Sequence, residues 1–296
     1  MKTAKVNGVE LEYEVAGSGE PVLLISPVLA DGFLPLLSEQ VLADRYQLIR
    51  YHKRGWVGST HTVSPVSVAD HAADAAALLD HLGVSRAHIA GHSSGGSVAM
   101  QLAFERPDLV HTLAVLEPTL FGVPSAPSLF ERAAPSMEAY GAGDHEGAVI
   151  GFLSLVSGLD RDTCRRVIDG NVPDGIARTI SDADTFFGVE LPALGAWEFG
   201  PDEAAVITQP VLSLLGRDTE QLWVEVAALL RSWFPQVEEL AVDGVGHLLQ
   251  KQRPQPVARG VAAFLGRYPM VPAENGKSHA RARAVAGAPV SGGVGA

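Results

Sequence analysis

The sequence has a single cysteine, Cys164, among 296 residues, which excludes an internal disulfide framework. No activating neighbour stands beside this thiol in RDTCRRV, so a packing role is favoured over a catalytic one. No apolar run approaches the roughly 18 residues that cross a bilayer, and the opening MKTAKVNGVELEYEV lacks the apolar segment of a secretory signal. The formal net charge of −12 disfavours nucleic acid and anionic membranes as partners. We therefore expect a cytoplasmic protein, and the oligomeric state stays open.

The alternation of short apolar segments with helix-length ones predicts the fold class. Asn7-Gly8, flanked by alternating residues, predicts a starting β-hairpin. After the hairpin, the pattern is typical of an α/β protein with a mostly parallel twisted sheet and helices on both faces. The predicted strands cover 21–26, 46–52, 86–92, 111–117, 210–216 and 237–244, and the predicted helices 68–82, 94–105, 222–233 and 256–265.

The alternation is interrupted between about residues 124 and 200, where helical segments follow one another without a convincing strand. We interpret this stretch as a helical cap inserted into the α/β core, whose two parts are then 1–123 and 201–270. The last stretch, 271–296, has few large apolar residues and is predicted to be a disordered tail.

The segment GHSSGG directly follows a predicted strand and precedes a predicted helix. Gly91-His92-Ser93-Ser94-Gly95 matches G-x-S-x-G, the pattern of a strand-turn-helix elbow that exposes its central serine. Glycines two positions before and after that serine avoid steric clashes, which selects Ser93 as the candidate nucleophile. Ser94 opens the helix, so its backbone N–H is a candidate oxyanion donor. The alternative is that Ser93 is only a helix N-cap.

A serine nucleophile needs a base, and His247 is the favoured histidine. It lies in the loop DGVGHLLQ after the last predicted strand, which fits the chain order serine, acid, histidine. His92 adjoins the candidate nucleophile, but its side chain must point away from that of Ser93, so a packing or lid-contact role is favoured over catalysis. His88 and His92 lack a third ligand, and we expect neither a metal nor a cofactor.

At this point the chain resembles the α/β-hydrolase family over about Val6 to Tyr268. The resemblance rests on the GHSSG elbow, the RGWVGS loop, the LGRD after the penultimate strand and the late Gly-His pair. It implies acyl transfer to water without a cofactor, with Ser93 as nucleophile and His247 as base. Where many members carry His-Gly after the third strand, this chain has Ser26-Pro27 and then Val28, whose backbone N–H the resemblance implies as the second oxyanion donor.

Two carboxylates compete for the role of the triad's acid. Asp218 follows the penultimate strand, where most of the family places its acid, but DTEQ also reads as a helix start with Asp218 as N-cap. Glu117 ends a strongly apolar strand, and Pro118 is expected to hold its backbone extended. Some members of the family use this second position. We favour Glu117 and keep Asp218 as the alternative.

Among its relatives the chain resembles cap-bearing esterases and lactonases, including fungal zearalenone lactonases, which share a G-x-S-S-G elbow and a Glu-Pro pair after the next strand. The resemblance implies hydrolysis of a carboxylic ester or lactone. The alternatives are a C–C bond hydrolase or cofactor-free perhydrolase with the same triad, and a ligand receptor. Candidate substrate-lining aromatic residues in the cap are Phe186, Phe187, Trp197 and Phe199.

Overall fold

A computed structural model describes residues 1–62, 65–170 and 172–270. Within these residues eight strands form one sheet in the order β1-β2-β4-β3-β5-β6-β7-β8. The β1–β2 and β2–β4 pairs are antiparallel, and all other neighbours are parallel. The strands are β1 Lys2–Val6, β2 Val9–Ala16, β3 Glu20–Ile25, β4 Tyr46–Tyr51, β5 Ala87–His92, β6 Val110–Leu116, β7 Val211–Gly216 and β8 Glu238–Val242.

Helices connect and cover these strands, which confirms the predicted α/β class. The helices of the core are α1 Leu34–Leu37, α2 Gln40–Ala43, α3 Val68–His81, α4 Ser94–Glu105, α12 Gln221–Trp233, α13 Leu249–Gln252 and α14 Pro254–Leu265. Those between β6 and β7 are α5 Ala126–Gly141, α6 His145–Ser157, α7 Arg161–Asp169, α8 Gly175–Ser181, α9 Ala183–Thr185, a π-helix Phe186–Glu190, α10 Leu191–Gly195 and α11 Pro201–Val206.

The central strands β3, β5, β6 and β7 consist mostly of apolar residues because both of their faces are buried. In β5, Ile89 packs into a core formed with α3, α4 and α12, and the next residue, Ala90, packs into a separate core formed with α14. Successive side chains of a strand point to opposite faces, so a strand covered on both sides needs apolar residues at every position. This explains why the sequence shows continuous apolar runs here and alternation only in the N-terminal hairpin.

Every regular element described between β6 and β7 is a helix, and loops join these helices. This agrees with the helical character predicted for 124–200, while the division into core and cap at the named boundaries stays a prediction. The tail predicted for 271–296 lies outside the described residues. Across the described part of the chain, no helix has the length and apolarity needed to span a membrane.

The parallel strands bring the candidate functional residues to one edge of the sheet. Ser93 follows β5, Glu117 follows β6, and His247 lies in the loop after β8. In open parallel sheets the loops beyond the carboxyl ends of the strands are the usual site of ligand binding. The fold therefore places three residues that are far apart in sequence at one position in space.

Candidate active site

The turn between β5 and α4 holds Ser93 in a strained backbone conformation, with φ 53° and ψ −122°. The turn is so tight that a Cβ atom on Gly91 would lie 2.2 Å from the carbonyl oxygen of Gly95. A Cβ atom on Gly95 would lie 2.1 Å from the carbonyl oxygen of Ile25. A non-glycine residue at positive φ persists only where the surroundings enforce it, as at many active sites. The glycines of GHSSGG are thus required by close packing around the serine.

Three side chains form a continuous hydrogen-bonded series. Ser93 Oγ lies 2.9 Å from His247 Nε2, and His247 Nδ1 lies 2.6 Å from Glu117 Oε2. With the Nδ1–H donating to Glu117, the Nε2 atom is free to accept the hydroxyl proton of Ser93. All three residues are buried, and Ser93 is 7% exposed. The arrangement can therefore remove a proton from a serine hydroxyl and hold the resulting imidazolium beside a carboxylate.

Asp218, the alternative acid, is exposed and lies outside this series. Its backbone N–H donates to the Val245 carbonyl. The expectation that Asp218 caps the following helix is wrong, because Glu220 is the N-cap residue of α12. Asp218 instead lies with Arg217 in the turn that follows β7, and Thr219 separates it from the cap.

Glu117 is fixed from two further directions. Its Oε1 accepts a hydrogen bond from the Gly216 backbone N–H at 2.7 Å, and its Oε2 accepts one from Thr219 Oγ1 at 3.0 Å. The backbone of Glu117 has φ 44°, so the extended conformation expected from Pro118 is wrong. The left-handed turn bends the chain away from β6 directly after Leu116, and the hydrogen bonds to the carboxylate hold it there.

The low polarity of the site acts on both ionisable members of the series. Burial raises the pKa of Glu117, while the hydrogen bonds from Gly216 and Thr219 oppose this by stabilising the carboxylate. Burial lowers the pKa of His247 to about 3. A neutral imidazole is the form that can accept a proton from Ser93, so this direction suits a general base.

Further residues hold His247 in place. The Trp223 ring stacks on the imidazole with ring centroids 3.6 Å apart and an interplanar angle of 19°. His92 Nε2 donates to the His247 carbonyl at 2.8 Å, and Gln250 Nε2 donates to His92 Nδ1 at 2.8 Å. His92 thus packs behind His247, which agrees with the packing alternative of its predicted packing or lid-contact role. The roles of Trp223 and Gln250 were not predicted, because no local motif marks either residue.

The two candidate oxyanion donors border the same cavity as Ser93. Ser94 is the first residue of α4, a position whose N–H has no partner within the helix and points along the positive end of the helix dipole. Val28 lies in the loop after β3, beside Pro27, which has no N–H of its own. Thr119 Oγ1 also lies near the nucleophile, 3.3 Å from Ser93 Oγ.

The cavity above Ser93 has an empty volume of about 510 Å³, counting the space at its opening. Among its described lining residues there is no Asp, Glu, Lys or Arg. Apart from the residues already named, apolar side chains from the inserted helices and nearby loops form its walls, namely Leu29, Phe121, Leu129, Phe152, Leu153, Val156, Leu191, Leu194 and Leu248. Such a surface suits an uncharged, apolar group.

The aromatic residues proposed from the sequence as substrate contacts lie elsewhere. Phe186 and Phe187 stack on each other, with ring centroids 4.4 Å apart, and are fully buried in the packing of the inserted helices. Trp197 packs against Phe199, and its Nε1–H donates to Gln101 Oε1. These four residues are absent from the cavity wall, which corrects the expectation. Large rings gain more free energy from complete burial in packed layers than from facing an open cavity.

The described residues include no group of three or more His, Cys, Asp and Glu side chains placed to hold a metal ion. His88, which the sequence offered as a weak ligand candidate, instead lies between Thr112 Oγ1 at 2.8 Å and Glu20 Oε2 at 3.2 Å. Both ring nitrogens of His88 therefore contact side chains of neighbouring strands in the sheet.

Comparisons with known proteins identify the family of this fold. A family model described as alpha/beta hydrolase fold matches residues 26–254. A putative carbamate hydrolase RutD of Azorhizobium caulinodans is 34% identical over 116 residues, covering 39% of this chain and 44% of that protein. The chain thus spans less than half the length of this curated relative.

Two solved structures are similar over nearly the whole chain. Est816, described as an N-acyl homoserine lactone degrading enzyme, is 26% identical with a TM-score of 0.67, over 89% of this chain and 100% of that one. A thermophilic esterase from Thermogutta terrifontis is 22% identical with a TM-score of 0.72, over 91% and 100%. At 22% identity, the similarity to the esterase shows a shared fold only.

Proposed function

The chain belongs to the α/β-hydrolase family, and from this premise we propose that it is a serine hydrolase that cleaves a carboxylic ester or lactone. The observation that carries the proposal is the series Ser93–His247–Glu117, with contacts of 2.9 and 2.6 Å, at the floor of an apolar cavity. Serine, histidine and carboxylate in this order of contact form the arrangement that activates a hydroxyl for attack on a carbonyl.

The proposed reaction proceeds through an acyl-enzyme. Ser93 Oγ forms a bond to the carbonyl carbon while its proton passes to His247 Nε2. The Ser94 and Val28 backbone N–H groups donate to the oxyanion that develops on the carbonyl oxygen. When the bond to the leaving oxygen breaks, His247 gives that oxygen the proton. A water molecule then loses a proton to His247, attacks the acyl carbon and releases the acid, while the proton returns to Ser93.

The cavity favours a neutral, apolar acyl or lactone group as substrate. A carboxylate held among these walls would lose its hydration without gaining a cationic partner from the described lining residues, and this costs several kcal/mol. The similarity to Est816, whose description names lactone degradation, supports including lactones among the first substrates tested.

The test begins with a fluorophosphonate probe, which labels an activated serine. We expect labelling at Ser93, identified by peptide mass spectrometry, and none in the Ser93→Ala variant. Ser93→Ala should also lose hydrolysis by at least about 10³-fold with its fold intact. The exposed Ser18→Ala variant is the matched control and should behave as wild type.

Substrate class is then resolved with aryl esters and apolar lactones, a β-diketone for C–C cleavage, and peracid formation from acetate and peroxide. Turnover of the esters or lactones supports the proposal. Turnover of the diketone alone would assign the protein as a C–C hydrolase, and peracid formation alone as a perhydrolase. If the protein binds apolar lactones but the probe does not label Ser93, the protein would be assigned as a receptor.

A further inference from the structure

A buried ion pair lies directly behind Ser94. The Lys53 ammonium, in the loop after β4, contacts the carboxylate of Glu190 and donates to Ser94 Oγ at 3.1 Å. Trp56 Nε1 donates to the other oxygen of Glu190 at 2.7 Å. Lys53 and Glu190 are each 2% exposed. No local sequence pattern indicates this group, because its members come from distant parts of the chain.

Stability alone does not account for the pair. The free energy needed to remove two charges from water is often larger than the free energy gained from their attraction. Proteins in which apolar residues of similar volume replace a buried ion pair are therefore often at least as stable. A buried ion pair that contacts a candidate oxyanion residue therefore invites a functional explanation. Its charged groups do not border the cavity, so direct contact with substrate is not part of that explanation.

We propose that Lys53 is a positioning residue for the oxyanion hole and that Glu190 holds it in place. By donating to Ser94 Oγ, Lys53 fixes the side chain of the residue whose backbone N–H would face the oxyanion. This inference rests on the proposed function, in which Ser94 is an oxyanion donor.

The same contact joins the cavity wall to the nucleophile elbow. Glu190 ends the π-helix, and the next residue, Leu191, lines the cavity. A shift of this wall would move Glu190 and hence Lys53. The pair therefore couples the position of the substrate-facing wall to the geometry of the oxyanion hole, the element on which acyl transfer depends most strongly.

A neighbouring ion pair offers a matched control. Arg54, the residue after Lys53, donates to Asp74 in α3 through two hydrogen bonds of 2.6 Å. Asp74 is fully buried, and Arg54 is mostly so. Arg54 lies in the same loop as Lys53, and its pair with Asp74 has the same two charges. Arg54 contacts α3, however, whereas Lys53 contacts Ser94 of the elbow.

The experiment compares single-turnover acylation by an aryl ester in four variants. They are Lys53→Met, Ser94→Ala, their combination, and Lys53→Met/Glu190→Met. Ser94→Ala keeps the backbone N–H but removes the hydroxyl that Lys53 contacts. The Met pair removes both charges while retaining volume, so it avoids leaving one buried charge without its partner.

We expect Lys53→Met, Ser94→Ala and the Met pair each to lower the acylation rate about tenfold, a fraction of the loss seen when an oxyanion donor is removed entirely, with KM nearly unchanged. Because both substitutions break one contact, the combined Lys53→Met/Ser94→Ala variant should be no slower than either single variant. Arg54→Met/Asp74→Met should acylate at the wild-type rate, whatever its melting temperature.

Two results would overturn the inference. One is wild-type acylation by the folded Met pair or by Ser94→Ala. The other is multiplication of the two effects in the combined variant, which would mean that Lys53 does not act through Ser94. Failure of the proposed function looks different, since wild-type protein would then resist the fluorophosphonate probe and hydrolyse no ester.

Discussion

Single residues decide which carboxylate serves the proposed triad. Glu117 lies against His247 Nδ1, whereas Asp218 is exposed on the turn before α12. Glu117→Gln removes the charge that stabilises the imidazolium and should lower kcat by about 10⁴, with substrate binding near normal. Stopped-flow acylation, with binding measured separately by calorimetry, checks this.

Asp218→Asn is the matched control for that substitution and should keep wild-type kcat. It exchanges carboxylate for amide at the position where most of the family places its acid. Loss of acylation in Asp218→Asn with retention in Glu117→Gln would show that the assignment of the acid is wrong.

Trp223 is a second residue whose contacts predict an effect on rate. Its ring stacks on His247 at 3.6 Å, so it both orients the imidazole and can stabilise its positive charge. Trp223→Leu should lower kcat about tenfold, corresponding to roughly 1.4 kcal/mol.

The matched control for Trp223 is Trp233→Leu in the same helix, which packs against Phe199, away from His247. This variant should lose stability but keep kcat. Equal rate losses in the two tryptophan variants would indicate a general disturbance of α12 and contradict a role for the stacking.

At the residue scale, the sequence indicates those candidate residues whose signal is local. Ser93 lies in a motif with steric requirements of its own, and His247 stands in a short loop after a recognisable strand. Glu117 is favoured because a charge at the end of so apolar a strand needs a reason, and because some members of the resembled family use this position. The Gly216 and Thr219 donors, and the Lys53–Glu190 pair, arise from packing between distant segments, and no local pattern reveals such contacts.

Among the elements, the predicted strands and core helices are found within a few residues of their observed bounds. Helix α4 begins and ends as predicted, because the elbow fixes its start. The predicted helix 222–233 begins one residue after the observed start of α12, but its N-cap is Glu220 and not Asp218, since both residues are plausible caps by type. The π-helix was not predicted, and its stacked Phe186 and Phe187 were assigned to a substrate surface. Hydrophobic periodicity indicates that a side chain faces the interior, but it does not distinguish a side chain packed in the core from one that lines a cavity.

The N-terminus of α3 carries an element-scale prediction. Ser67 Oγ accepts from the Asp70 backbone N–H at 3.0 Å, and the Asp70 carboxylate accepts from the Ser67 backbone N–H at 2.8 Å, forming a capping box. Ser67→Ala should lower the free energy of unfolding by about 1 kcal/mol without changing activity. Urea denaturation measures this, with the exposed Ser18→Ala as control. An unchanged midpoint would show that the cap adds nothing to α3.

For the molecule as a whole, buried ionisable groups join the inserted helices to the core. Asp31, in the loop after β3, accepts from Arg50 of β4 at 2.6 Å and from Arg178 of α8 at 2.7 Å. Burial alone would raise the pKa of Asp31, but His52 and Arg50 hold it well below its usual range. These ion pairs and the Lys53–Glu190 pair thus connect the core to the helices inserted between β6 and β7.

Acid stability of the whole molecule should depend on His71, a buried histidine of α3. Burial lowers its pKa to about 4, and the Lys53 charge acts in the same direction. Above pH 6.5 the ring is neutral in both the folded and unfolded states. Between pH 6.5 and 4 the unfolded chain binds a proton that the folded protein excludes, so stability falls as the pH falls. From pH 7.5 to 5 this one group should remove about 2 kcal/mol from the free energy of unfolding.

His71→Gln cannot take up that proton, so its stability should fall about 2 kcal/mol less than that of wild type over the same interval. Urea denaturation at the two pH values measures the difference, and it compares each variant with itself, so any packing defect of glutamine cancels. His81→Gln is the matched control, because His81 lies exposed on the same helix. It should follow wild type at both pH values. Equal losses in His71→Gln and wild type would mean that His71 is protonated in the folded protein, with Glu190 nearby as the counter-charge.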